Sequence, residues 1–186
     1  KAIKQNKPEL SPLPAMQTFE ENASADLLAY YQEVIKLIGG QARVLPHRDL
    51  LAGEIRQMYP EHKIICSSVP DLDIATLQLQ DIKDPHDLKD VDLAVIPGNF
   101  AVAENGAIWV TDKDLVHRAV AFICQHMVLV VPRQRLVWNM HQAYQQLNIP
   151  RPGYGLFIAG PSKTADIEQS LVIGAHGARS LTVFFV

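Results

Sequence analysis

The residues best suited to chemistry lie near the C-terminus, where the sequence reads GPSKTADIE from Gly160 to Glu168. The apolar stretch before them, 154–159, predicts a buried strand. Gly-Pro, then hydroxyl side chains and acidic residues, predict a tight loop and the N-terminus of a helix that Ser162 and Thr164 can cap. The start of a helix presents free backbone N–H groups and the positive end of a dipole. The pattern therefore indicates a binding site for an anion.

Several side chains of this loop are candidates for holding that anion. A glycine lets the backbone approach a ligand closely, hydroxyl groups can donate hydrogen bonds, and Lys163 supplies a positive charge. The acidic residues fall in the first predicted helical turn, where negative charge complements the helix dipole. The same residue types also fit a well-capped helix that binds nothing. The candidate ligand-binding residues here are Gly160, Ser162, Lys163, Thr164, Asp166 and Glu168.

A histidine flanked by glycines follows this segment. His176 precedes Gly177, and Arg179 comes two residues later. The glycine leaves the imidazole able to reach a ligand, and a guanidinium can clamp a carboxylate or phosphate with two parallel hydrogen bonds. We therefore predict His176 as a catalytic residue, with Gly177 and Arg179 in ligand binding. A turn histidine beside a solvated arginine is the alternative.

A third candidate is the turn Glu104-Asn105-Gly106, which follows the apolar residues 100–103. Asn-Gly is a strong turn pair. A carboxylate at the end of a strand can act as a nucleophile or a base, particularly if burial raises its pKa. We predict Glu104 as a catalytic residue and Asn105 and Gly106 as ligand-binding residues. The alternative is an acidic turn residue in a hairpin.

Other kinds of site lack support in the sequence. The GPSKT loop lacks the second glycine and the GK[ST] ending of a phosphate-binding Walker motif, and neither GxGxxG nor GxSxG occurs. The spacing of His117, Cys124 and His126 matches no zinc signature, so we predict no metal site. Two cysteines are too few for an iron–sulfur cluster, which typically needs four.

Composition narrows the class of protein further. A net charge of −3 gives no reason to expect nucleic acid as a partner, and no run of 18 apolar residues would span a membrane. The cysteines, Cys66 and Cys124, stand in apolar runs and are predicted to be buried, reduced thiols. A cytoplasmic protein fits these features best.

The elements that must position these loops follow from hydrophobic periodicity. Residues 1–22, with three prolines and no periodicity, predict an extended or disordered N-terminal arm, and 23–186 a single α/β domain. Helices are predicted at 27–38 (capped by Asn22 or Ser24), 47–58, from Pro85 with Asp84 as its cap, and at 137–147. Strands are predicted at 43–45, 63–69, 72–79, 92–96, 107–111, 127–131, 154–159 and 181–186.

Alternation of strands and helices predicts an α/β fold with an open, mainly parallel sheet and flanking helices. Ligands gather at the carboxyl ends of the strands of such sheets. The loop at 103–106 and the Gly160 loop both follow strands. We therefore expect them to form a common cleft.

These segments resemble the lactate-utilization protein C family, also called the LUD domain. The family pattern is close to GPSRTADIE, then a segment ending in GVHGPR and a final strand; here GPSKTADIE precedes VIGAHGAR at 172–179 and the strand at 181–186. Upstream, AVAENGAI at 101–108 is similar to the family's AIAETGT-like segment. The likeness extends from about residue 92 to residue 186.

The resemblance implies a fold like that of ribose-5-phosphate isomerase A, glucosamine-6-phosphate isomerase and the class I CoA transferases. It also implies a role in oxidising L-lactate to pyruvate alongside two partner proteins, at least one of which carries iron–sulfur clusters. We expect no cofactor on this chain, iron–sulfur subunits as partners, and a small carboxylate or phosphate-bearing ligand between the Glu104 and Gly160 loops.

Three departures from the family pattern keep alternatives open. Lys163 stands where the family usually has Arg, which replaces a bidentate fork with a point charge, and Ala178 replaces the usual Pro. Asn105 replaces the usual Thr, so Glu104-Asn105-Gly106 is similar to the SENG motif of class I CoA transferases. That likeness implies a CoA-transferase-like enzyme with Glu104 as the acyl-accepting nucleophile. A non-catalytic scaffold is the other alternative.

Overall fold

The computed structural model describes residues 26–147, 153–164 and 171–186. Its α-helices are α1 (Leu27–Leu37), α2 (Leu51–Met58), α3 (Asp112–Leu115), α4 (Val120–Ile123) and α5 (Met140–Gln146), and 3₁₀ turns occur at Arg48–Leu50, Leu79–Asp81 and Pro85–Asp90. Its strands are β1 (Gln41–Val44), β2 (Ile65–Ser67), β3 (Leu93–Pro97), β4 (Phe100–Val102), β5 (Ile108–Thr111), β6 (His126–Val131), β7 (Leu136–Val137), β8 (Gly155–Ile158), β9 (Lys163–Thr164), β10 (Val172–Ile173) and β11 (Ser180–Phe185).

The central sheet has five parallel strands in the order β1-β11-β6-β3-β2. Strands β3, β6 and β11 are buried almost throughout, because helices cover both faces of the sheet and leave no polar side. Tyr31 and Ile35 of α1 pack with Leu129 and Val183 on one face. Leu51 and Ile55 of α2 pack on the other face. The predicted α/β fold with a mainly parallel sheet and flanking helices is confirmed.

A second sheet of four strands, in the order β7-β4-β5-β8, positions the predicted loops. Strand β5 is antiparallel to both β4 and β8, so β4 and β8 run in the same direction and end at the same edge. One face packs against α1 through Ile108 and Ile158, and the other carries Trp109 and Phe157 beneath α5. The topology therefore brings the 103–106 turn and the Gly160 loop to one edge of this small sheet.

Most predicted elements are present, with boundaries shifted by a few residues. The cap of the first helix was wrong, because Asp26 accepts hydrogen bonds from the amides of Leu28 and Ala29. The Asp84 cap is confirmed, since its carboxylate accepts from the amide of His86. Both cysteines are buried free thiols, as predicted. The predicted arm at 1–22 lies outside the described residues.

The strand predicted at 72–79 is absent from this described part of the chain. A single bridge joins Leu77 to Cys66, and the segment is otherwise irregular. The guanidinium of Arg56 donates to the carbonyl oxygen of Asp73 at 2.6 Å, and that of Arg48 to the carbonyl of Pro70. Side chains from the α2 region thus satisfy backbone groups that a strand would have used.

Candidate functional site

The Gly160 loop is extended where the structure describes it, and the predicted first helical turn around Asp166 and Glu168 lies outside the described residues. Lys163 and Thr164 form β9, which pairs antiparallel with β10, so these residues are extended and not helical. The amide of Ser162 donates to the carbonyl oxygen of Ala178 at 2.8 Å, and Ser162 in turn accepts from the amide of Gly174 at 2.9 Å. The Ser162 amide is therefore engaged within the protein and is not one of the free N–H groups that the prediction required.

Gly160 is needed for its backbone conformation. Its φ of +71° lies in the left-handed region, and a methyl group in place of its hydrogen would lie 2.9 Å from the carbonyl oxygen of Ile38. Ile38 ends the first helix as its C-cap. The chain can thus turn from β8 into the loop only by passing close to the end of α1.

Lys163 carries the positive charge of the loop. Its ammonium group donates to the carbonyl oxygen of Ile38, one of the last carbonyls of α1, where a cation also complements the helix dipole. The side chain remains exposed. An ammonium group has three N–H donors, so this contact leaves donors for an anion.

The His176 segment lies directly beside the Gly160 loop. The two Ser162 hydrogen bonds join the loops, and a methyl group on Gly177 would lie 3.0 Å from the Cβ of Ser162. His176 itself is exposed. The His176 segment therefore contacts the Gly160 loop, and His176 lines the same cavity as Ser162 and Lys163.

A cavity of about 290 Å³ lies between these two loops. Its polar side chains are Ser162, Lys163 and His176, and its apolar wall comes from α4, β8 and the first residues of β6 and β11. Met127 and Leu181, neighbours in register on β6 and β11, close its inner end. The cavity thus lies at the amino ends of β6 and β11 in the central sheet, whereas the ligand site was predicted at the carboxyl ends of the parallel strands.

The turn at 103–106 reaches the same edge but a different environment. The carboxylate of exposed Glu104 accepts a hydrogen bond of 2.9 Å from the amide of Met140, at the start of α5. Asn105 accepts from the amide of Ala107, which closes the turn, and the hydroxyl of buried Tyr31 donates to the carbonyl of Gly106. Glu104 does not line the cavity beside His176.

Ile38 separates the two loops that were expected to share a cleft. Methyl groups placed on Gly106 and Gly160 would both lie 2.9 Å from atoms of Ile38, Cδ1 in one case and the carbonyl oxygen in the other. The structure therefore brings together Gly160, Ser162, Lys163, His176 and Gly177. Thr164 and Arg179 lie next to the cavity wall in sequence, and Asp166 and Glu168 lie outside the described residues.

A match to a known family model shows the family to which the chain belongs. The model of the LUD domain family matches residues 38–186, which include both loops and the strands that hold them. The chain belongs to the LUD domain family. The matched range begins at Ile38, the residue that contacts both the 103–106 turn and the Gly160 loop.

Known LUD-type relatives agree with this placement. Lactate utilization protein C of Oceanobacillus iheyensis is 28% identical over 101 residues, and the protein of that name from Geobacillus kaustophilus is 33% identical over 85 residues. These matches cover 51% and 42% of this chain but only 43% and 35% of the relatives. The chain thus matches less than half the length of these relatives.

A solved structure shows the same fold. A DUF162 family protein from Deinococcus radiodurans superimposes with a TM-score of 0.67 at 16% identity, covering 86% of this chain and 96% of that protein. Among the helices of the described residues, none is long and apolar enough to cross a membrane.

Two larger polar cavities lie elsewhere in this LUD chain, near the carboxyl end of β2. One has a volume of about 470 Å³ and is lined by residues 67–73, among others. The other, of about 500 Å³, shares residues 71–73 with it and is also lined by Arg48 and Arg56. Sequence reasoning assigned this region to a strand and so missed these cavities. Carboxylates line both cavities, guanidinium groups line only the second, and the family motifs do not reach either.

A cluster of aromatic and polar side chains lies at the first residues of β6 and β11. The rings of His62 and His126 meet edge to face with centroids 4.6 Å apart, and Tyr59 packs on both. A hydrogen bond of 2.7 Å joins Nδ1 of His126 to the hydroxyl of Ser180. No role was predicted for His62 from the sequence, because its partner His126 lies 64 residues away and no local pattern connects the two.

The environment of His126 predicts a pH dependence of stability. Burial, His62 and Arg179 lower the pKa of His126 from its ordinary value, with Asp92 opposing them. The unfolded chain, with a histidine pKa of about 6.5, then binds more protons than the folded chain below neutral pH. The contribution of neutral His126 to the free energy of unfolding is therefore fully present above about pH 6.5 and is lost as the pH falls below that value.

Urea unfolding at pH 7.5 and pH 5.5 measures this effect. We expect His126→Gln to lose less stability between these pH values than the wild-type chain does. The matched control is His141→Gln, at an exposed position of α5, which should keep the wild-type difference. An unchanged pH difference in His126→Gln would show that the cluster does not sense protons.

Proposed function

We propose that this chain is a subunit of a lactate-utilization system that oxidises L-lactate to pyruvate, and that it binds a small carboxylate between the Gly160 and His176 loops. The names of the relatives support the pathway. The observation that carries the site is the meeting of two separate motif segments at one cavity, with a cation at its mouth.

The polar side chains of the cavity suggest a division of roles. Lys163 and Ser162 hold the carboxylate, since an ammonium group and a hydroxyl can both donate to it. His176 lies at the reacting end, where its ring can accept the proton of the substrate hydroxyl. Thr164, on β9, holds the Gly160 loop around this ligand. Arg179, three residues after His176, holds the His176 loop.

Iron–sulfur subunits are the proposed partners. Oxidation of lactate to pyruvate releases two electrons and two protons, and the electrons must leave the substrate through a redox group. Burial raises the pKa of each of the two thiols, Cys66 and Cys124, to about 12, which keeps them protonated. We therefore place the clusters on partner proteins, and the whole system in the cytoplasm, where thiols stay reduced.

Reconstitution tests this function. The purified chain, mixed with its iron–sulfur partners, should oxidise L-lactate, and His176→Ala should lower the rate by roughly 100-fold, the loss typical of a general base. His141→Ala, on α5 and away from the cavity lining, is the control and should keep full activity. Full activity of the partners without this chain would refute the proposal.

The CoA-transferase alternative requires Glu104 to attack a bound acyl group. Its carboxylate is held by the amide of Met140, and the residue lies outside the lining of the His176 cavity. A glutamyl thioester trapped at Glu104 after incubation with an acyl-CoA would nevertheless favour that enzyme class. We retain the lactate-utilization function because the cavity and the family relationship both support it.

A further inference from the structure

The cavity between the Gly160 and His176 loops has room for more than lactate. At ~30 Å³ for each water molecule of the liquid, its volume of about 290 Å³ corresponds to roughly ten waters. Lactate has only about six non-hydrogen atoms, so a bound lactate would leave part of the space to water. If each non-hydrogen atom takes about the volume of one water, the remaining space holds about four more carbon atoms.

The lining changes from polar at the mouth to apolar at the inner end. Lys163 and His176 are exposed, whereas Met127 and Leu181 are each 1% exposed. Among the described residues that line the cavity, none is Asp or Glu. A ligand that matches this gradient has a negative head and an apolar tail.

Small side chains create the inner space. Ala121 of α4 and Ala178 of the His176 loop are both buried, and both line the cavity. Met127, which lines the same cavity, has a flexible, polarizable side chain that adapts to ligands of different shape. At the rim, Phe122 is 51% exposed, although a phenylalanine is usually buried. Its ring therefore adds apolar surface to the wall along which the tail of a bound ligand runs.

We propose that the cavity takes 2-hydroxy or 2-oxo carboxylic acids longer than lactate, with the carboxylate at Lys163 and an unbranched apolar tail between Met127 and Leu181. The optimum length is about seven carbons, because the space beyond lactate holds about four. This inference rests on the proposed carboxylate site and names the substrate class that the site prefers.

A calorimetric titration series tests the inference on the purified full chain. The ligands are L-lactate, 2-hydroxypentanoate, 2-hydroxyheptanoate and 2-hydroxynonanoate, with 1-hexanol as a tail without a carboxylate. We expect the affinity to rise roughly fourfold for each added methylene up to seven carbons and then to level off. The alcohol should bind more weakly than an acid of matching length.

Ala121→Leu fills the inner end of the cavity, so it distinguishes binding of the apolar tail from binding of the carboxylate head. It should remove the gain of 2-hydroxyheptanoate over lactate, so that the two acids bind with similar affinity. Ala52→Leu on α2 adds the same side chain outside this cavity and should keep the wild-type series. If Ala121→Leu does not fold, Phe122→Ala at the exposed rim should lower the affinity of the longer acids selectively.

The outcomes distinguish this inference from the proposed function. Equal affinity for all acids overturns the apolar tail site and leaves the lactate function intact. A rising series that Ala121→Leu and Phe122→Ala both leave unchanged places the tail elsewhere and also overturns it. No measurable binding of any acid refutes the carboxylate site itself, and reconstituted lactate oxidation then decides the function separately.

Discussion

Replacement of Gly160 by alanine lowers the free energy of unfolding by about 2–3 kcal/mol. A left-handed backbone costs a residue with a Cβ roughly 1–2 kcal/mol, and the φ of Gly160 is +71°. The new methyl group also meets the carbonyl oxygen of Ile38 at 2.9 Å. That oxygen belongs to the end of α1, which cannot withdraw without loss of helical contacts, so overpacking adds about 1 kcal/mol or more.

Urea unfolding followed by circular dichroism measures this change. Gly53→Ala is the matched control, because Gly53 lies inside α2 with no atom within 4 Å of the new methyl group. Alanine there should raise stability by about 0.5–1 kcal/mol, the ordinary gain in a helix. A Gly160→Ala chain as stable as the wild type would contradict the tight contact between the loop and α1.

Gly155→Ala should destabilise the four-stranded sheet by about 1–3 kcal/mol through overpacking. The new methyl group would overlap two ring atoms of Trp109, Cζ2 and Cη2, on the neighbouring strand. Trp109 is only 5% exposed, and its ring packs at 4.7 Å on that of Phe157. The indole therefore has little freedom to move away, and both strands must shift.

A double-mutant cycle identifies the indole as the cause. Trp109→Phe removes the ring atoms that meet the methyl group, so Gly155→Ala should cost at least about 0.5 kcal/mol less in that background. Chemical unfolding of the four chains, with circular dichroism as the readout, gives the coupling. Additive effects of the two substitutions would mean that Trp109 does not cause the destabilisation.

The strands and helices were predictable where local sequence decides them. The buried parallel strands β3, β6 and β11 read as continuous apolar runs, and α1 has apolar residues at helical spacing. The prediction of free amides in the Gly160 loop was wrong at Ser162, whose amide donates to the carbonyl oxygen of Ala178. Gly-Pro-Ser-Lys-Thr has the chemistry of a helix cap, but the partners that make it extended, Ala178 and β10, come from a later segment.

The candidate site was predictable in part for the same reason. Strands β4 and β8 end at one edge, so the Glu104 turn and the Gly160 loop are neighbours, as expected from the topology. The sequence could not show that Ile38 lies between them or that the amide of Met140 holds Glu104. The apolar wall was also missed, because the four-residue helix α4 is too short for a periodic pattern.

The proposed function depends on the binding of a small carboxylate between the Gly160 and His176 loops. Backbone amide shifts recorded by NMR during a titration with L-lactate test it most directly. We expect the largest shifts at Ser162, Lys163, His176 and Gly177, with half-saturation at one lactate concentration for all four. Shifts confined to the polar cavity at 67–73, or no shifts at any concentration, would contradict it.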